Sequence, residues 1–172
     1  MQTIIDFFNH PFFIIVGGLT TLSVIVAFIS SIYLIIKGVL PVWYRLGIGL
    51  SKRKIAVFAD SEFESLKNML VDSGIFLEKN IVRIDAKSLK KAESLSLLLV
   101  HWKCFESEFE NIVNIKKDSD ALIIFAPQEE GFIDNNSLQI INTERNSIVV
   151  NFRGRLLNDI LISMITTSYE KR

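Results

Sequence analysis

One uninterrupted apolar run dominates the first fifty residues. From Pro11 to Ile36 the chain passes 26 positions without a charged side chain. As a helix that rises about 1.5 Å per residue, this run would be about 39 Å long, which exceeds the roughly 30 Å hydrocarbon core of a bilayer. The core helix of a soluble protein rarely stays apolar on every face over such a length. The pattern therefore predicts a single transmembrane helix, which with a following interfacial collar makes residues 1–50 an anchor.

Beyond residue 50 the pattern changes to short apolar runs separated by amphipathic stretches. In the first of these stretches Phe63, Leu66 and Leu70 share one helical face, and Gly74 suits the end of that helix. The apolar runs have the length and β-branched content of strands. They cover residues 55–59, 80–84, 95–100, 121–126 and 147–152.

Strands that are apolar throughout are typical of a parallel sheet covered by helices on both faces. Five β-α units therefore predict that residues 51–172 form one α/β domain with a five-stranded parallel sheet in three layers. This architecture is flavodoxin-like, and its usual strand order is 2-1-3-4-5.

The charges that flank the apolar run predict its orientation. Lys37, Arg45 and the cluster Lys52–Lys54 follow the run, whereas residues 1–10 contain no Lys or Arg. Because basic residues remain on the cytoplasmic side, we expect a single-pass protein of the inner membrane with its N-terminus outside and its C-terminal domain in the cytoplasm. A cleaved signal peptide would need basic residues ahead of a shorter apolar core, and neither is present.

Small and hydroxylated residues gather on one side of the predicted span. At about 100° per residue they fall within an arc of roughly 140°. Small residues let helices approach closely in lipid and hydroxyls can hydrogen-bond across the contact, so this face predicts self-association and a homo-oligomer. Gly, Ser and Thr are also common in membrane helices generally, which is the plainer interpretation. The face comprises Gly17, Thr20, Ser23, Ala27, Ser30 and Ser31.

Polar residues follow four of the predicted strands. Ligands of open parallel sheets bind beyond the carboxyl ends of the strands, near the point where the strand order reverses. The NFRGR turn opens the last predicted helix, where free amides favour an anion and a glycine permits close approach. This predicts a phosphate or a nucleotide-like ligand, although strand ends are polar in any such fold because loops are exposed. The predicted ligand residues are Asp60, Ser61, His101, Trp102, Gln128, Glu129, Arg153, Gly154 and Arg155, with Lys103 and Glu130 beside them.

Composition narrows the classes of function. Residues 55–172 hold 14 Lys plus Arg against 18 Asp plus Glu, a net charge of −4, which argues against nucleic-acid binding. The single Cys104 cannot form an internal disulfide, as expected in a reducing cytoplasm. His10 and His101 would lie on opposite sides of the membrane, so no metal site is expected. No phosphate-loop or dinucleotide-binding motif occurs, so no cofactor is expected either.

A family resemblance is carried by the segment LLLVHWKCFESEFENIV, residues 97–113. It resembles the strand-loop-helix of Toll/interleukin-receptor (TIR) domains, in which a Trp-Cys-x-x-Glu pattern opens the helix after the third strand. Trp102 and Glu106 keep that spacing, while Cys104 stands two residues after the Trp. In TIR enzymes the glutamate cleaves NAD, so the resemblance implies that Glu106 would be the catalytic residue of a membrane-tethered NAD-consuming enzyme.

The layout as a whole also resembles membrane effectors of bacterial anti-phage signalling. In those proteins a cytoplasmic TIR-like or CARF-like domain binds a nucleotide messenger and the membrane helices then disturb the bilayer. The resemblance implies a membrane-anchored sensor or effector that binds a nucleotide-like ligand, oligomerises and perturbs the membrane. The alternatives are the NAD-consuming enzyme and a non-catalytic module that recruits a partner to the membrane.

Overall fold

A computed structural model describes residues 10–167 of the chain, and within helix α2 it leaves out the side chains of residues 45, 46 and 48–51. The prediction for Arg45 therefore lies outside the described side chains. The chain divides between Trp43 and Tyr44 into two compact units, which are taken in turn.

Two consecutive helices form the first part of the chain. Helix α1 (Pro11–Gly38) begins where the His10 ring accepts a hydrogen bond of 3.3 Å from the backbone N–H of Phe12. Helix α2 (Leu40–Lys52) follows after Val39, so the predicted collar is helical. Pro41 lies in the first turn of α2, where a missing backbone N–H costs little, and this explains why one helix ends and another begins here.

Helix α1 has no buried residue. Large apolar side chains project freely along it, with Leu19 64%, Val24 67% and Leu34 65% exposed. Four of its hydroxyls donate to carbonyls within the helix, among them Thr20 to Gly17 at 2.9 Å and Ser31 to Ala27 at 2.8 Å. By length and composition, α1 with the start of α2 is the one helix in the described residues that is long and apolar enough to cross a membrane.

The second unit is built on a five-stranded sheet whose order is β2-β1-β3-β4-β5. All four strand pairs are parallel, which confirms the predicted sheet and its order. The strand bounds are β1 (Ile55–Phe58), β2 (Ile81–Arg83), β3 (Leu97–His101), β4 (Ala121–Phe125) and β5 (Ser147–Val150).

Helices cover both faces of this sheet. Each strand presents apolar side chains to either side, and the helices bury every residue of β1, β3 and β4. On one face, α3 (Phe63–Asp72) and α7 (Arg153–Thr166) pack against the sheet. The opposite face is covered by the 3₁₀ segment Ala86–Ser94, α4 (Trp102–Phe105), α5 (Phe109–Ile115) and α6 (Asn135–Thr143). The domain therefore has the predicted three layers.

A buried arginine fixes the point where the chain enters the domain. Arg53, only 2% exposed, stands between α2 and β1. Its guanidinium donates to the Ser96 hydroxyl at 2.8 Å and to the Met164 carbonyl near the end of α7 at 3.2 Å. It also donates to the hydroxyl of Thr167. Since a cation is favoured at a helix C-terminus, Arg53 ties the start of β1 to the last turn of α7.

Candidate functional site

A cavity of about 390 Å³ opens at the carboxyl edge of the sheet. The loops after β1, β4 and β5 build its wall, and β3 lies between β1 and β4 in the sheet. This is the edge where the strand order predicts a ligand. The cavity is lined by Glu62, Phe125, Pro127, Gln128, Glu129, Glu130, Asn151, Phe152 and Arg153.

Arg153 joins two helices across this cavity. It is the first residue of α7, and its Nη1 lies 3.7 Å from Oε2 of Glu62, the residue before α3. Its Nη2 donates to the backbone carbonyl of Ser65 at 2.9 Å and also to the Ser65 hydroxyl. The charge of the guanidinium is therefore already engaged by groups of the protein.

The loop from Pro127 to Asp134 forms a second side of the cavity. A 3₁₀ turn, Gln128–Glu130, is followed by Gly131 with a φ of 113°, a conformation that favours glycine. The loop ends where Asp134 caps α6 by accepting from the backbone amides of Asn136 at 2.9 Å and Ser137 at 3.0 Å. Hydrogen bonding to Ser137 holds the pKa of Asp134 below its usual value, so this cap stays ionised at neutral pH.

His101 lies buried behind the cavity wall. It ends β3 with 2% exposure, and its ring makes an edge contact of 5.7 Å with the Phe125 ring. Its Nε2 is 3.3 Å from Oε2 of Glu130, but that contact is not aligned as a hydrogen bond. Among the described residues neither ring nitrogen has a hydrogen-bond partner. An unsatisfied buried polar group costs about 1–3 kcal/mol. A small rotation of the Glu130 carboxylate would let it accept from Nε2 and relieve that cost.

Two amides and two exposed aromatic rings stand together at this edge. Gln128 and Asn151 line both the main cavity and a smaller, more apolar one of about 120 Å³. Phe152, which lines the main cavity, is 54% exposed, and Phe132, which lines the smaller one, is 90% exposed. Aromatic faces on which a base can stack, next to amides that read its edge, are the usual chemistry of nucleobase recognition.

The structure brings together three of the nine predicted ligand residues, since Gln128, Glu129 and Arg153 line one cavity. His101 lies behind that wall, whereas Trp102 does not reach the site. The Trp102 ring is 4% exposed and packs on the Phe109 ring at 5.2 Å, in the core on the α5 side of the sheet.

The other predicted residues lie on the surface outside the cavity lining. Asp60 and Ser61 are exposed in the turn after β1, and Asp60 Oδ1 is 4.0 Å from Nη2 of Arg83. Gly154 and Arg155 are exposed on the first turn of α7. A Cβ at Gly154 would meet nothing within 4 Å, so the fold itself does not require glycine there.

Glu106, the residue that the TIR resemblance implies as catalytic, lies away from the cavity. Glu106 is exposed in the 3₁₀ turn Glu106–Glu108, outside the cavity lining.

Along α1, the hydroxyls of Thr20, Ser23 and Ser31 already donate within the helix, which leaves their oxygens as acceptors. All six predicted contact residues of α1 are exposed.

Five residues of the cavity wall were not predicted as ligand residues. Phe125 and Pro127 belong to β4 and the loop after it. The other three are Glu62, Asn151 and Phe152, of which the last two were considered only as part of the NFRGR turn. Strand β5 ends at Val150, two residues earlier than predicted, and this turns Asn151 and Phe152 into loop residues. Glu62 directly precedes α3, where a carboxylate is common because it interacts favourably with the helix dipole, so its presence did not indicate a site. Only their positions in the sequence could have indicated these three residues, because each follows a strand that ends at the same edge of the sheet.

No match was found in comparisons with known proteins: neither a protein-family model nor a curated protein nor a solved structure matches this chain. Within residues 10–167, no group of three or more His, Cys, Asp or Glu side chains is placed to hold a metal ion. The functional argument therefore rests on the exposed apolar helix and on the cavity.

Proposed function

We propose that this protein is a membrane-anchored sensor. In this proposal α1 spans the inner membrane, the domain from residue 51 onward lies in the cytoplasm, and the cavity at the carboxyl edge of the sheet binds a nucleotide-like ligand. Ligand binding then promotes self-association through α1, which perturbs the membrane. The observation that carries the proposal is the cavity, in which exposed aromatic and amide side chains stand together.

The exposure of α1 supports a membrane role. A helix with these apolar residues would be buried if it served as the core of a soluble protein, yet no residue of α1 is buried. The hydroxyls of Thr20, Thr21, Ser23 and Ser31 donate to carbonyls of the same helix, as lipid requires of polar groups that have no water. Lys37 in the last turn lies 5.8 Å from the Tyr33 ring, a cation and an aromatic side chain typical of a membrane interface.

The chemistry of the cavity supports a base-containing ligand. A volume of about 390 Å³ lies within the range of small-molecule sites. The Phe152 ring offers a stacking surface, and the amides of Gln128 and Asn151 can both donate and accept at a base edge. The carboxylates of the wall are suited to accept hydrogen bonds from sugar hydroxyls.

Helix α7 connects the cavity with the start of the α/β domain. Its first residue, Arg153, is held by Glu62 and Ser65 at the cavity, and its last turn is held by Arg53, which directly follows α2. A ligand that packs against Phe152 and Arg153 would act on one end of a helix whose other end holds the start of the domain. Coupling of this kind would suit the anti-phage effectors that the layout resembles. That comparison is an analogy of architecture.

The proposal is tested by ligand binding to the full chain in lipid nanodiscs. We expect at least one member of a panel of nucleosides and nucleotides to raise the unfolding temperature, measured by intrinsic fluorescence. The double variant Asn151→Ala/Phe152→Ala should lose that rise in unfolding temperature, because it removes the stacking ring and one of the two amides from the cavity. Both positions are exposed, so the core stays intact. Glu110→Gln, an exposed change on α5, is the matched control and should keep it.

Two results would contradict the proposal: no stabilisation by any member of the panel, or the same stabilisation in the double variant. The first result would leave the recruitment module as the better account. Nothing in the described residues favours the NAD-consuming enzyme, because Glu106 is exposed outside the cavity lining.

A further inference from the structure

The cavity wall is acidic, although its position suggested an anion site. Three carboxylates line it, from Glu62, Glu129 and Glu130, against the single guanidinium of Arg153. That guanidinium is 3.7 Å from the Glu62 carboxylate and donates two hydrogen bonds to Ser65. A phosphate entering the cavity would meet the carboxylates of Glu129 and Glu130 in the loop after β4 and would have to compete with Glu62 for Arg153.

A buried histidine lies against one carboxylate of this acidic wall. His101 is 2% exposed, neither of its ring nitrogens has a partner in the part of the chain that the structure describes, and its Nε2 faces Oε2 of Glu130 at 3.3 Å. A carboxylate that turns to accept from this ring would be fixed at the cavity edge. Carboxylates held in place in this way accept hydrogen bonds from N–H and O–H groups and repel phosphate oxygens.

We infer that the ligand is a base-containing molecule of low negative charge: a nucleoside, or a nucleoside that carries at most one phosphate, and not a nucleoside polyphosphate. This inference rests on the proposed function and narrows its ligand class. In the bound state the base lies on Phe152 beside Gln128 and Asn151, the sugar hydroxyls face the carboxylates, and added phosphates are disfavoured by those same carboxylates.

The test compares adenosine, AMP and ATP, and the matching guanosine series, by calorimetric titration of the full chain in nanodiscs of zwitterionic lipid. The buffer contains no divalent metal, so that the phosphate charge is not masked. We expect the nucleoside of the preferred base to bind at least about tenfold more tightly than its triphosphate. Added salt should narrow this difference, because screening weakens the repulsion.

Charge removal gives the second arm of the test. Glu62→Gln/Glu129→Gln should raise the affinity for the triphosphate about tenfold relative to the nucleoside, because it removes repulsion and releases Arg153. Glu110→Gln, outside the cavity, is the control and should leave the ratio unchanged.

The outcomes separate this inference from the proposed function. If the triphosphate binds as tightly as the nucleoside or more tightly, or if the double variant leaves the ratio unchanged, the inference on ligand charge is wrong and the proposed function stands. If no nucleoside or nucleotide binds at all, the proposed function fails, and the inference fails with it.

Discussion

The guanidinium of Arg53 connects three distant parts of the domain. It is 2% exposed and donates hydrogen bonds to Ser96, Met164 and Thr167. Arg53→Met keeps the apolar stem but leaves these buried acceptors without a donor. We expect the free energy of unfolding of the domain to fall by about 2–4 kcal/mol, measured by chemical denaturation of the full chain in detergent micelles.

Lys54→Met is the matched control for this prediction. Lys54 is the next residue and is exposed, so its change should shift the free energy of unfolding by less than about 0.5 kcal/mol. Equal stabilities for Arg53→Met and the native chain would contradict the role given to the buried guanidinium.

The positions of single side chains were the hardest feature of the fold to predict from the sequence. The sequence shows Arg53 only as part of a basic flank, because the carbonyl of Met164 that holds it lies 111 residues away in the chain. His101 and Trp102 were both predicted at the ligand edge. The alternation of β3 instead puts His101 behind the cavity wall, and the start of α4 turns Trp102 into the core of the opposite face.

At the element scale, the strands were predictable because each is a short run of apolar residues. Their order followed from the general behaviour of parallel sheets. Helical continuity was harder to predict. The helix after β3 breaks at Phe105, whose φ of −127° departs from the helical value while its ring packs 5.6 Å from the Phe58 ring in the core. Tertiary packing overrides local propensity at that point.

Helix α1 offers a direct test of its predicted contact face. Gly17 has no other atom within 4 Å of an added Cβ, and Ala27 is exposed. Gly17→Leu/Ala27→Leu should therefore leave the single chain unchanged and block close approach of a second copy. We expect self-association in vesicles, measured by energy transfer between labelled copies, to weaken about tenfold, which corresponds to about 1.4 kcal/mol.

Leu22→Ile/Ile25→Leu, on the opposite side of α1, is the control and should keep the energy-transfer signal. If both double variants associate like the native chain, the face of small residues makes no contact between copies. The plainer interpretation, that such residues are simply common in membrane helices, would then hold.

The whole molecule combines a long apolar helix with an α/β domain that has a cavity at one edge of its sheet. Helix α7 runs along one face of the sheet from Arg153 at the cavity to the carbonyl of Met164, which binds Arg53. The position of the cavity followed from the topology of the sheet. Its acidity did not, because Glu62 and Glu130 become neighbours of Arg153 and His101 only after folding.

The account depends most on α1 as a membrane anchor with the domain in the cytoplasm. The direct measurement is protease accessibility of a C-terminal tag in spheroplasts, combined with carbonate extraction of the membranes. The account predicts that the chain stays with the membranes after extraction and that external protease digests the tag only after lysis. Recovery of the intact chain in the aqueous supernatant, or digestion of the tag in sealed spheroplasts, would contradict it.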